Sequence, residues 1–248
     1  AKDIGDKNGE GIALYNLGED HRSINEYQKA MDYFKQALGI YIAIGNKEGE
    51  GGALQALGDV HYGLGENQKA IEYYKQALKI ALAIGDEPMK GMLSNNIGNI
   101  HSRRGEYPKA IEYYSQALKI AKANGDKKRE GSALINLGAV SSNLGEYSKA
   151  MEYYEQALKI AKVIESKVLE GEIYNNLGYA NFDLGEYQNA IDYYEQALAI
   201  LGPLLGEDHP DTRMAKSNLS KAQSKRSEHK DGGDGPSERY GRLQGHDE

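Results

Sequence analysis

Three histidines, His21, His61 and His101, stand 40 residues apart. Imidazole is a common metal ligand, but this spacing argues against a shared ion. Each histidine falls in a different copy of one repeated block, too far from the others to share an ion. Each also lies on an apolar helical stripe, so core packing is expected. Four tyrosine pairs, Tyr73-Tyr74, Tyr113-Tyr114, Tyr153-Tyr154 and Tyr193-Tyr194, offer ring faces on which bases could stack. Stacking platforms need accompanying positive charge, whereas the net charge is −7. The second tyrosine of each pair sits on the core stripe, so packing is expected again. There is no Walker A sequence, no His-Glu-x-x-His and no Gly-x-Ser-x-Gly. Carboxylates pair only as helix-surface charges. No catalytic residue, metal or cofactor is expected.

What remains is chemistry suited to recognition. With Leu17 turned to the core of a helix, Ile12, Tyr15, Glu19, Arg22 and Ser23 point away from it, and Asn16 sits on the flank. The equivalent positions are Gln55, Asp59 and Tyr62, then Asn95, Asn99 and Arg103, then Ile135 and Asn143, then Asn175, Tyr179 and Phe182. The flank repeats as Asn96, Asn136 and Asn176, with Ala56 breaking the series. A side-chain amide donates and accepts, so a column of amides could hold the backbone of an extended peptide. It could equally hydrogen-bond between neighbouring helices. Glu19 and Asp59 make the first two repeats acidic, which suits a basic segment or a solvated face.

These residues are positioned by a block that recurs five times. Leu17-Gly18 returns as Leu57-Gly58, Ile97-Gly98, Leu137-Gly138 and Leu177-Gly178, 40 residues apart each time. Each block reads as two helices, the first near Lys7 to Ile24 and the second near Glu26 to Ile44. Ala30, Phe34, Ala37, Leu38 and Tyr41 recur at helical spacing, as do Ala13, Leu14, Leu17, His21 and Ile24. Gly45-Asn46, Gly85-Asp86 and Gly125-Asp126 supply a left-handed stop and then a cap for the next helix. Gly5-Asp6 reads the same way, and Glu165-Ser166 keeps the cap without the glycine. Short turns carry Gly65, Gly105, Gly145 and Gly185, with Asn25 as the tolerant substitute in the first block. Gly18 and its equivalents lie inside helices, at a cost of about 1 kcal/mol each relative to alanine. They are expected to admit Ala30 and its equivalents from the paired helix. Gly11, Gly51, Gly91, Gly131 and Gly171 are expected to admit the preceding block's long helix.

The pattern resembles the tetratricopeptide repeat (TPR). The resemblance is carried by Leu14, Leu17, Gly18, His21, Ala30, Phe34 and Ala37, recurring through Tyr174, Leu177, Gly178, Asn181, Ala190, Tyr194 and Ala197. It covers residues 1 to about 226. The usual period is about 34 residues. The 40-residue version is similar to the long-helix arrays of Pins/LGN-type scaffolds and kinesin-light-chain-type adaptors. Residues 205–212 resemble a kinesin-light-chain interrepeat loop. The resemblance implies an all-α, right-handed α-α superhelical solenoid of antiparallel helix pairs. It also implies a concave groove lined by the first helices, and a protein or peptide partner. Some TPR modules hold a C-terminal carboxylate with a lysine–arginine clamp. Tyr15, Gln55, Asn95, Ile135 and Asn175 occupy its lysine position, so that clamp is missing.

The organisation follows. Residues 1–5 read as the end of a preceding repeat, so the chain is expected to be part of a longer array. Repeats are expected at 6–45, 46–85, 86–125, 126–165 and 166–202. A loop and a polar capping helix follow over 203–226, then disorder over 227–248. Residues 202–248 hold 8 Lys+Arg and 9 Asp+Glu, so the acidity belongs to the array. An acidic array disfavours nucleic acid as a partner. No apolar run approaches the roughly 20 residues that span a bilayer. A chain without cysteine suits the cytoplasm. The expected function is a non-catalytic binding scaffold or adaptor, or else the sensing arm of a larger NTPase or enzyme.

Overall fold

The computed structural model describes residues 2–231, with the side chains of residues 7–229. It is an all-α helical-repeat solenoid, with no strand among the described residues. The helices are α1 (Lys2–Ser23), α2 (Tyr27–Ile44), α3 (Lys47–Gly63), α4 (Asn67–Ile84), α5 (Glu87–Arg103), α6 (Tyr107–Asn124), α7 (Lys127–Asn143), α8 (Tyr147–Val163), α9 (Lys167–Asp183), α10 (Tyr187–Leu205) and α11 (Pro210–Asp231). Odd-numbered helices are first helices of a repeat, and even-numbered ones are second helices. The chain forms two compact units that divide between Arg129 and Glu130. The first holds α1–α6, and the second runs from the first turn of α7 through α11.

Each of α1–α10 ends where one residue takes positive φ. Gly45, Gly85 and Gly125 do so at φ 72, 72 and 68. The next residue then caps the following helix. Asn46 accepts from the Gly49 amide, and Asp86 from the Met89 amide, both at 2.9 Å. Asn25 stands in for glycine at φ 61. Glu165 does the same at φ 55, a conformation that costs an L-residue roughly 1–2 kcal/mol. Ser166 occupies the N-cap position there, but its side chain makes no capping bond, so the expected cap is not formed. The turn ahead of it rests on a strained glutamate rather than a glycine. Gly5-Asp6 does not break the chain either, and α1 runs unbroken from Lys2. No helix lies ahead of it in the described structure for the chain to turn back upon, so backbone hydrogen bonding continues.

The glycines inside the first helices admit rings, not alanines. A Cβ on Gly58 would lie 2.5 Å from Cε1 of Tyr74, and one on Gly18 2.5 Å from Phe34. Gly98, Gly138 and Gly178 face Tyr114, Tyr154 and Tyr194 in the same way. The aromatic residue, one turn beyond the alanine expected at the glycine, needs the space. The second glycine series also differs from expectation. Gly11 faces Tyr41, Gly91 faces Ile120 and Gly171 faces Leu201. These are residues of the same repeat's second helix, not the preceding one's, because the pair closes tightly at that end too.

The cores are built from these contacts. Leu57 packs with Ala30, Met31, Phe34 and Val60, joining α2 to α3. Fully burying a side chain of this size stabilises by about 1.5–3 kcal/mol. Leu17, expected to face a core, is 42% exposed, against 0% for Leu57. Leu57 has α2 behind it, and Leu17 has no counterpart of α2 among the described residues. In the second unit Ala215 and Ala222 of α11 are buried against α10. Helix α10 continues through Pro203 to Leu205, past the predicted loop start. Helix α11 reaches Asp231, five residues past the predicted end, its polar outer face compatible with continued helix. The remainder of the expected disorder, 232–248, lies outside the described residues.

Candidate functional site

In the first unit, α1, α3 and α5 turn the predicted face away from their paired helices. Tyr15, Glu19, Gln55, Asp59, Tyr62, Asn95, Asn96 and Asn99 are half-buried there, and Asn16 and Arg103 are exposed. Asp59, Tyr62, Asn96 and Asn99 come together around a recess of about 550 Å³, joined by Arg22 and Ser23. Four further residues line it that the sequence reading did not select: Asn25, Tyr27, Gly63 and Tyr74. Tyr27 had a signal, because tyrosine recurs at 107, 147 and 187. Gly63 had one too. Its equivalents Ser23, Arg103, Asn143 and Asp183 all carry side chains, and a Cβ at 63 would meet the Tyr27 hydroxyl at 3.1 Å. The recess exists where the repeat loses a side chain.

Tyr74 is 1% exposed, as packing predicts, yet its hydroxyl serves the site. It donates to Oδ1 of Asp59 at 2.6 Å, and Asn96 hydrogen-bonds the same hydroxyl. Burial raises the Asp59 carboxyl above its usual range, and the Tyr74 donor opposes that rise. Burial, then the charge of Asp59, drives the Tyr74 phenol far up. The same pairing recurs one repeat on, where Tyr114 donates to Oδ1 of Asn99 at 2.8 Å and burial lifts its phenol to about 12. The first repeat has Phe34 at this place and no hydroxyl to give. There Glu19 takes Arg22 instead, with Nη2 to Oε2 at 2.5 Å and Nε to Oε1 at 3.2 Å. That fork holds the Arg22 guanidinium up. Burial, then Glu19 and Asp59, moves the Tyr15 phenol up to about 12. The Arg103 guanidinium stands 5.1 Å from the centre of the Tyr62 ring, a cation–π distance.

The second unit carries the remaining selected residues. Asn136 and Asn176 are half-buried, and Asn143 is exposed at the end of α7. Tyr179 is exposed, and Asp183 raises its phenol and hydrogen-bonds it. Asp183 also hydrogen-bonds Tyr147, and the sequence reading selected neither residue. Asn175 is buried and accepts from Nδ2 of Asn218 at 3.2 Å. At Asn96 and Asn175, then, the amides hydrogen-bond between helices.

His21, His61 and His101 stack on Tyr33, Tyr73 and Tyr113, with centroids 5.2, 5.2 and 5.6 Å apart. Each Nδ1 meets the glutamate that opens the second helix: Glu26 at 2.6 Å, Glu66 at 2.5 Å and Glu106 at 2.9 Å. They clamp the turn within each repeat. Lys29 and then His21 hold Glu26 below its usual range, His61 and then Lys69 hold Glu66, and Lys109 foremost holds Glu106. Among the described residues, no group of three acidic or histidine side chains could hold a metal ion. Among them, too, no helix is long and apolar enough to cross a membrane.

The fold has known counterparts. A tetratricopeptide-repeat sensor in a signal transduction ATPase with numerous domains, from Pyrococcus horikoshii, superposes with a TM-score of 0.78 at 21% identity. The match covers 89% of this chain and 34% of that one, so the chain spans about a third of that protein. The TPR-like repeats of a putative kinesin light chain from Podosopora anserina give 0.66 at 18% identity, over 80% and 98% of the two chains. A Rap protein complexed with Competence and Sporulation Factor gives 0.62 at 20% identity, over 89% and 66%. No curated protein sequence matches the chain. The sequence model described as tetratricopeptide repeat matches residues 13–83, 91–162 and 169–231. With that match over most of its length, and with paired helices closing on the ring-admitting glycines, the chain belongs to the tetratricopeptide repeat family.

Proposed function

We propose that the chain is a non-catalytic interaction scaffold that holds a segment of a partner protein against its first helices. The recess in the first unit carries this reading. It gathers a carboxylate, a guanidinium, three amides and three tyrosine rings around about 550 Å³, the mixture of fixed polar groups and apolar wall that suits a side chain of a bound segment. Tyr15, Asn16, Glu19, Gln55, Asn95 and Arg103 extend the same face in the first unit. Asn136, Asn143, Asn175, Asn176 and Tyr179 supply the binding face in the second. Asn96 and Asn175 each use part of their capacity on other helices, and an amide retains further sites for a peptide backbone. The test is a photo-crosslinking residue placed at Tyr62 or Tyr179, with controls at the exposed second-helix positions Ile42 and Leu82. Adducts with a partner from the first two sites and none from the controls support the reading. Adducts from the controls alone defeat it.

A second reading is a sensing arm of a larger protein whose catalytic part lies elsewhere. Its support is the sensor array of the signal transduction ATPase, of which this chain matches 34%. The full-length gene tests it. A product made of repeats alone rules it out.

A further inference from the structure

We infer that the recess of the first unit is a socket for one basic side chain, arginine or lysine, of the bound segment, with Asp59 as its acceptor. The inference rests on the scaffold reading and specifies its chemistry. Asp59 is half-buried at the recess and bonded only by neutral donors: the Tyr74 hydroxyl at 2.6 Å and the Gln55 amide. Arg22 also lines the recess and acts on Asp59 through space, but it makes no ion pair with it. A half-buried carboxylate without a contacting ion-pair partner is costly, and a guanidinium or ammonium in direct contact relieves that cost. The other carboxylate of this face is already neutralised, since Glu19 holds Arg22 in a two-bond fork. That fork also ties down the nearest cation, so Arg22 does not swing onto Asp59. Arg103 is exposed on the Tyr62 ring, where the high dielectric of water keeps its repulsion of an incoming cation weak.

The geometry fits the whole side chain, not only its charge. Tyr62 and Tyr27 wall the recess, so an aliphatic stem lies along rings while its head reaches the carboxylate. The opening depends on Gly63, the one repeat in which this position lacks a side chain. The equivalents of Asp59 are Glu19, Asn99, Ala139 and Tyr179. Only at 59 does an unpaired carboxylate coincide with the missing side chain, so a single socket is expected rather than a row.

The test is selection of random twelve-residue peptides by display on the full chain, run in parallel on Asp59→Asn. The amide reproduces the Asn99–Tyr114 pairing already present, so the fold is expected to hold. The expected result is one recurrent arginine or lysine in peptides selected by the wild type, lost on Asp59→Asn. Replacing that arginine by citrulline, which leaves the protein untouched, weakens the selected peptide tenfold or more. Gly63→Asn, which carries the side chain that Asn143 has, closes the recess and weakens it similarly. Selected peptides that need Tyr62 but carry no recurrent basic residue, or that bind equally after citrulline exchange, overturn the socket and leave the scaffold standing. Peptides that ignore Tyr62 and Tyr179 alike overturn both.

Discussion

Replacing Tyr74 by phenylalanine removes a single oxygen, and the structure indicates what that oxygen does. The ring stays packed against Gly58, so no cavity opens. The loss falls on Asp59, whose Oδ1 accepts from Tyr74 at 2.6 Å. A hydrogen bond to a charged group contributes about 1.5–3 kcal/mol. Asp59 is half-buried and water can replace part of the donor, so the lower end applies, about 1.5 kcal/mol. That is roughly a tenfold change in the local opening equilibrium. In a repeat array it is read best by hydrogen exchange of the α3 and α4 amides, because stability here is a sum of neighbouring contributions. The Asp59 carboxyl, already raised by burial, moves up further without its donor. A carboxyl whose native pKa is raised is penalised when ionised, so the deficit of Tyr74→Phe is full at pH 7. It shrinks as pH falls through the raised native value. In an Asp59→Asn background the same change costs only about 0.5–1 kcal/mol, as for a neutral hydrogen bond. An equal cost in both backgrounds, or none at pH 7, refutes the account.

Three further outcomes follow from named contacts. Gly58→Ala, whose Cβ would meet Tyr74 at 2.5 Å, costs about 1–3 kcal/mol by overpacking, whereas Gly52→Ala, with nothing within 4 Å, stabilises by up to about 1 kcal/mol; urea denaturation of the pair separates them. Glu165→Gly removes left-handed strain at φ 55 and raises the stability of the second unit by about 0.5–1 kcal/mol, seen as slower exchange in α8 and α9. Glu26, Glu66 and Glu106 have depressed carboxyls, so their stabilisation is complete above the unfolded value of 4.5 and is lost as pH falls through the lower native values. The triple change to glutamine is expected to flatten that acid limb in the first unit's unfolding, monitored by circular dichroism.

The repeat, its helix pairs and its turns were legible because each rests on local rules. Positive φ falls on the expected glycines and on Asn25, and Asn46 and Asp86 cap as their types require. The histidines were readable as packing residues for the same reason, although their glutamate partners were not anticipated. The candidate face was legible in part. A helical wheel sorts residues into inward and outward sets, and it placed Asp59, Tyr62, Asn96 and Asn99 together. It could not find Tyr74, because a residue on the core stripe is assigned to the core. Only a structure shows that the ring is inside while the hydroxyl reaches out.

Sequence alone determined that this chain is a tetratricopeptide array, because helical period, glycine punctuation and the forty-residue repeat act over neighbours in the chain. Tertiary structure decided the rest. It showed that the helix-interior glycines make room for aromatic rings and that Leu17 stays exposed where Leu57 is buried. It also showed that an absent side chain at Gly63 and a hydroxyl from Tyr74 shape one recess around Asp59. These depend on which atoms of separate helices meet, and periodicity, which fixes only direction from a helix axis, carries no measure of that distance.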